Sequence, residues 1–223
     1  MALFSLSLTL GFYIFVAYIN QKTQKTWINP LLFSSIMIIF VLKTFNIEYE
    51  TYHEGVQFIT LLLGPATVAL AIPLYENKKT ILKYSKQIFI SIISGTVAHA
   101  LSLIVLKSFL NLSSELFITS IPKSVTTAIA KDISFQNGGM VEITVALVII
   151  TGIFGAVISD FVFKKCNIKS NVSKGLSLGV SAHAVGTSKA VEMGAVEASM
   201  STIALILTGI LTVIVTPLII LIF

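Results

Sequence analysis

Two short stretches concentrate the side chains able to do chemistry. In IPKSVTT (121–127), the ammonium of Lys123 and the hydroxyls of Ser124, Thr126 and Thr127 follow Pro122 within five residues. Proline suits the first turn of a helix, because its missing N–H is one that no intrahelical acceptor uses. With Ser120 as the cap, the free amides of such a helix start and the charge of Lys123 form a cradle for a small carboxylate. In HAVGTSK (183–189), Gly186 lets backbone approach a ligand, Thr187 and Ser188 can donate hydrogen bonds, and Lys189 adds a second positive charge. His183, an imidazole, suits either a carboxylate or a coupling proton.

Each residue also has a plainer use. The hydroxyls can bond backbone carbonyls, Lys123 can snorkel to an interface, Gly186 can serve packing, and His183 can bond a neighbouring helix. Ionisable groups at membrane depth are costly, however, and mark a site by default. His99 and Asp160 lie in or at the ends of apolar runs and are further candidates for a proton relay, or for helix–helix hydrogen bonds.

The elements that must position these residues are apolar. The chain is 55% hydrophobic and only 11% charged, with mean hydropathy +0.94, too little charge to cover a water-facing surface. Continuous apolar runs of about 20 residues span a bilayer core. The candidates are Ala2–Asn20, Pro30–Lys43, Val56–Tyr75, Gln87–Lys107, Val141–Phe163 and Ser199–Phe223. Because they do not alternate, they are not barrel strands. The expected architecture is an all-α polytopic membrane protein of about 6–8 transmembrane helices, with broken or re-entrant segments and internal repeats. It divides into a two-helix segment (1–55) and a repeat-containing core (56–223) within one membrane domain. The N-terminal run lacks a basic leader and reads as an uncleaved span.

All 15 basic residues are lysine. They gather at Lys22/Lys25, at 78–86 and at 164–174, whereas Glu48, Glu50 and Glu54 cluster apart. Positive-inside topology puts the lysine clusters in the cytoplasm and the N-terminus outside. That parity makes the segment between Gln87–Lys107 and Val141–Phe163, roughly Leu112–Asp132, begin and end outside, which favours a re-entrant element over a full crossing that would put 164–174 outside against the rule. Such non-helical backbone survives at membrane depth only when buried in protein or lining a watery cavity. Nucleic acid is not an expected partner, and the single Cys166 excludes an intramolecular disulfide.

A faint repeat supports the same organisation. IISGTV, IITGIF and ILTGIL place Gly95, Gly152 and Gly209 at intervals of 57 residues. The same shift carries Pro65 to Pro122 and then to Gly179. Repeats whose polar, Pro- or Gly-interrupted segments meet near the midplane are typical of secondary transporters. Pro65 and Pro122 are the expected helix breaks, with Thr67 the main polar side chain of the first copy. No catalytic or metal motif occurs, so no enzyme activity, metal or cofactor is expected.

The ordered motifs PATVALAIPLYEN, IPKSVTTAIAKDIS followed by Gly138-Gly139, and KGLSLGVSAHAVGTSKAVEMGAVEASMSTIAL, with an LLFSSI-type second span, resemble the bacterial LrgB/CidB family of antiholin-like membrane proteins. The likeness covers nearly the whole chain and is densest from Pro65 to Pro217. Many relatives have a proline after the double threonine where Ala128 stands here. The resemblance implies a multi-pass protein of the bacterial cytoplasmic membrane, often encoded beside a small LrgA/CidA-type membrane partner and linked to murein hydrolase export and autolysis. It extends to the plastid glycolate/glycerate translocator and to bacterial pyruvate uptake. Two functions follow as expectations. The first is secondary, ion- or proton-coupled transport of small monocarboxylates, bound by Lys123, Ser124, Thr126, Thr127, His183, Gly186, Thr187, Ser188 and Lys189. The second is a holin- or antiholin-like regulator, working as a homo-oligomer or with its partner. Two lysine- and hydroxyl-bearing breaks, facing each other across a cavity, favour the first.

Overall fold

The computed structural model of the protein describes residues 2–23, 28–62, 65, 68, 69 and 71–222. Among them every regular element is helical. Four helices are long and apolar enough to cross a bilayer: Leu3–Thr23, Ser85–Leu110, Val141–Lys165 and Ala195–Leu221, with Pro30–Thr44 a shorter apolar helix. The expected span Val56–Tyr75 and its Thr67 run across residues outside the described ones. Pro65 itself is helical and exposed, but the flanks that would show its break lie outside the described residues too.

The chain forms two compact units, Met1–Ala71 and Ile72–Phe223. In the first, α1 (Ala2–Thr23) packs with α2 (Pro30–Thr44) and α3 (Tyr49–Leu61). Asn29 caps α2 by accepting from the Leu31 and Leu32 amides, with Pro30 in the first turn, where it displaces no hydrogen bond. Thr9 Oγ1 and the Tyr52 hydroxyl, 2.6 Å apart, tie α1 to α3.

The second unit carries the repeat. After the short α4 (Ala71–Glu76) and α5 (Lys78–Lys83) come three spans, α6 (Ser85–Leu110), α9 (Val141–Lys165) and α11 (Ala195–Ile222). Between the first two lie α7 (Ser114–Ser120), a 3-10 turn (Ile121–Ser124) and α8 (Thr127–Gln136). Between the last two lies α10 (Asn171–Met193). A shift of 57 residues carries Ser114 and Gln136 onto Asn171 and Met193, so the repeat is one span plus one polar insertion.

Both insertions are hairpins. In the first, Thr144 Oγ1 on α9 donates to the Thr119 carbonyl (2.9 Å) and lies 2.7 Å from Ser134 Oγ. One side chain thus ties the inward arm and the return arm together. In α10 the reversal is at His183, whose φ of 41° and ψ of −130° are not helical. A β-carbon on Gly186 would collide with the Leu178 carbonyl oxygen and lie 2.7 Å from Ala182 Cβ. Residues 178 and 186 of an unbroken helix would be about 12 Å apart along the axis. Arm 184–193 therefore doubles back on arm 171–182.

One span plus one hairpin crosses a membrane an odd number of times, so successive copies are inverted. The first hairpin enters from the face opposite the Lys164/Lys165 end of α9, and the second enters from that lysine-rich face. The glycines of the repeat are where arms pack on spans. A β-carbon on Gly95 would run into Val180, one on Gly152 would lie 2.6 Å from His183 Cε1, and one on Gly209 would lie 2.9 Å from Ile129 Cδ1. Left-handed asparagines end α2, α6 and α9: Asn46 (φ 50°), Asn111 (φ 48°) and Asn167 (φ 54°), where asparagine costs little.

Candidate functional site: the meeting of two hairpins

The hairpin tips converge on a single residue of α9. Val125, at the first tip, is buried against Val148 and Ala130. His183, at the second, is 2% exposed and places Nε2 2.9 Å from the Val148 carbonyl oxygen. Val148 lies about 8 Å along the axis from the middle of α9, so two helix breaks from opposite faces meet deep in the span. Each breaks a backbone ladder deep in the span, which membrane proteins tolerate only where the segment is buried in protein or lines a water-filled cavity.

Sequence and local chemistry explain the first tip. Pro122 is buried in the 3-10 turn, which ends in extended backbone at Val125. Ser120 does not cap a helix here: its hydroxyl bonds back to the Leu116 carbonyl at 2.7 Å. The cap is Thr126, whose hydroxyl accepts from the Ile129 amide at 3.5 Å at the start of α8. His99, on α6, holds the turn from the side. Its Nε2 donates to the Ile121 carbonyl at 2.9 Å, so Nδ1, 3.3 Å from Ser124 Oγ, is an acceptor for that hydroxyl. Lys123, in the same turn, is half-buried. Among the described residues no carboxylate pairs with it.

The second tip is more tightly closed. Thr187 Oγ1 donates to the His183 carbonyl at 2.9 Å and lies 2.9 Å from Ser201 Oγ on α11, joining the return arm to that span. Gly186 is buried where the arms touch. Because Nε2 of His183 faces a carbonyl, that nitrogen carries the proton in the neutral ring, and the buried Nδ1, an acceptor, has no hydrogen-bond partner among the described residues. Ser188 is exposed and bonds its own helix at the Ala184 carbonyl.

Lys189 is elsewhere. Its Nζ lies 3.3 Å from Asp160 and 3.5 Å from Glu192. Asp160 is twelve residues beyond Val148 on α9, about 18 Å along the axis towards the lysine-rich face. The structure thus brings together Lys123, Ser124, Thr126, Thr127, His183, Gly186 and Thr187 around the two tips. It leaves Ser188 outside them and pairs Lys189 with Asp160 at the base of the second hairpin. Val148, Thr144 and Ser134, which fasten both hairpins, carried no sequence signal beyond the neighbouring Gly152.

Residues 9–222 match the LrgB-like family. The chain belongs to that family. It is 34% identical over 223 residues to the holin-like protein CidB of Staphylococcus aureus (strain Mu50), covering all of this chain and 97% of that protein. It is 35% identical over 201 residues to the antiholin-like protein LrgB of Bacillus subtilis, covering 90% and 87%. It is also 35% identical over 213 residues to the uncharacterized protein YwbG of the same bacterium, covering 96% and 95%. No solved structure matches. Membership and the four long apolar helices make it a multi-pass, all-α bacterial membrane protein.

Proposed function

We propose that this chain carries a small monocarboxylate of the pyruvate, glycolate or glycerate class across the cytoplasmic membrane by a secondary, ion- or proton-coupled mechanism. The observation that carries the reading is the convergence of two oppositely entering hairpins on Val148, beside a half-buried Lys123 without a carboxylate partner among the described residues. A buried cation calls for an anion, and both return arms, 127–136 and 184–193, begin at the tips, with the positive ends of their dipoles pointing to the meeting point. Helix breaks of this kind hold anionic substrates at the midplane of secondary transporters. Lys123 pairs with the carboxylate, the Thr127 hydroxyl and first-turn amides of α8 complete its shell, and rocking of the hairpins exposes the site to either face.

A second reading has its own support. The relatives named holin-like CidB and antiholin-like LrgB point to a regulator of murein hydrolase export and autolysis, acting with a small LrgA/CidA-type membrane partner. Solute flux can be how such a regulator acts, so the two readings overlap. Purified protein in liposomes separates them: uptake of labelled pyruvate or glycolate with an entrapped dye retained supports the carrier. Dye release without saturable carboxylate uptake supports the pore-type regulator and removes the carrier reading.

A further inference from the structure

The lysine-rich end of the second unit holds a cavity of about 490 Å³, within the size range of ligand sites. It lies beyond the Lys189–Asp160 ion pair, between the last turns of α9 and the base of the second hairpin. Its basic rim is Lys164, Lys169 and Lys174, and its apolar floor includes Phe163, Ile168 and Met193. The floor is firm, because Phe163 is buried against Leu178 and Ala190, with Ile168 and Met193 packed on them. Among the described residues no carboxylate pairs with any of the three lysines. The one acid on the wall, Asp160, is opposed by Lys189 at 3.3 Å. Three lysines therefore outnumber the one carboxylate on the concave wall, whose partner Lys189 is shared with Glu192 at 3.5 Å.

Depth identifies the ligand. The 25 residues of α9 extend about 37 Å, longer than a ~30 Å hydrocarbon core, so the turns after Asp160 reach the headgroup layer. An apolar floor under a basic rim at that level matches an amphiphile whose head bears a phosphate. A soluble phosphate would use the lysines and leave Phe163, Ile168 and Met193 without a role. We infer that this cavity binds the headgroup of one anionic phospholipid. Bound there, the lipid braces the second hairpin, since Lys174 belongs to its inward arm, Met193 to its return arm and Lys164 to the span they pack on.

The test is lipid retention by the full chain, prepared in nanodiscs of equal phosphatidylglycerol and phosphatidylcholine and followed by native mass spectrometry and titration. The wild type is expected to keep one phosphatidylglycerol per chain in preference to phosphatidylcholine. The triple variant Lys164→Gln, Lys169→Gln, Lys174→Gln should bind it about a hundred-fold more weakly, and the same three positions as arginine should restore binding. Removing the same charge at Lys78, Lys79 and Lys83 should change nothing. Equal weakening in that control, or no selective retention by the wild type, overturns the proposal. Displacement by millimolar glycerol 1-phosphate overturns the lipid assignment in favour of a soluble phosphate.

Discussion

The Nε2 of His183 donates to the backbone carbonyl of Val148 across 2.9 Å, and the Val125 side chain of the opposite hairpin packs on that same valine. One residue of α9 is therefore the anvil for two chain reversals that approach it from opposite faces.

His183 holds a backbone conformation, φ 41° and ψ −130°, that side chains other than glycine adopt only under strain of about 1–3 kcal/mol. Glycine there loses the bond to Val148 but relieves the strain, whereas valine loses the bond and adds β-branching. Thermal unfolding in detergent is expected to rank wild type and His183→Gly close together. His183→Val should fall well below both, by at least about 1 kcal/mol.

A β-carbon at Gly152 would meet His183 Cε1 at 2.6 Å and Nε2 at 2.7 Å, on a ring pinned by its hydrogen bond. Gly152→Val should cost about 1–3 kcal/mol of stability. Gly11→Val, with nothing within 4 Å of an added β-carbon, should cost far less. Parallel unfolding curves check the pair.

Lys189 and Asp160 are 3.3 Å apart with side chains 24% and 38% exposed, and Glu192 shares the lysine at 3.5 Å. Partly solvated pairs of this kind couple by less than about 1 kcal/mol. A double-mutant cycle on unfolding should show that small coupling. In uptake assays Lys189→Gln and Asp160→Asn should behave alike, because each frees the base of the hairpin. A large loss confined to Lys189→Gln would instead make that lysine a substrate contact.

Topology can be read with the native thiol. Cys166 is exposed just beyond Lys164 and Lys165, so a membrane-impermeant maleimide should label it only after the cells are opened. With Cys166 replaced by serine, cysteines at Ser113 and Asn137 should both label from outside, and cysteines at Asn171 and Glu192 only from inside. Hairpin ends on opposite faces would contradict re-entrance.

Much of this arrangement was legible in the residues. The lysine clusters and the parity of the spans indicated the first hairpin. The spacing of Gly95, Gly152 and Gly209 marked the contacts that let arms lie against spans. A break in the 183–189 stretch was expected, but its position at His183 was not legible, because a histidine with alanine on both sides gives no sign of positive φ; its bond to Val148 and the packing of Gly152 hold it there. Lys189 could not be placed from sequence for the same reason. Its partner, 29 residues earlier, comes within reach only once the return arm folds back. Lys123 and Lys189 look equivalent as letters, and the geometry separates them: among the described residues one charge has no carboxylate partner at the tip, and the other lies against Asp160 and Glu192.

The most direct measurement is uptake of labelled pyruvate and glycolate by liposomes containing Lys123→Gln, compared with the wild type and Lys123→Arg. Lys123→Gln is expected to lose at least about ten-fold in uptake, Lys123→Arg to keep part of it, and all three proteins to insert equally. Undiminished uptake by Lys123→Gln would contradict the carrier reading.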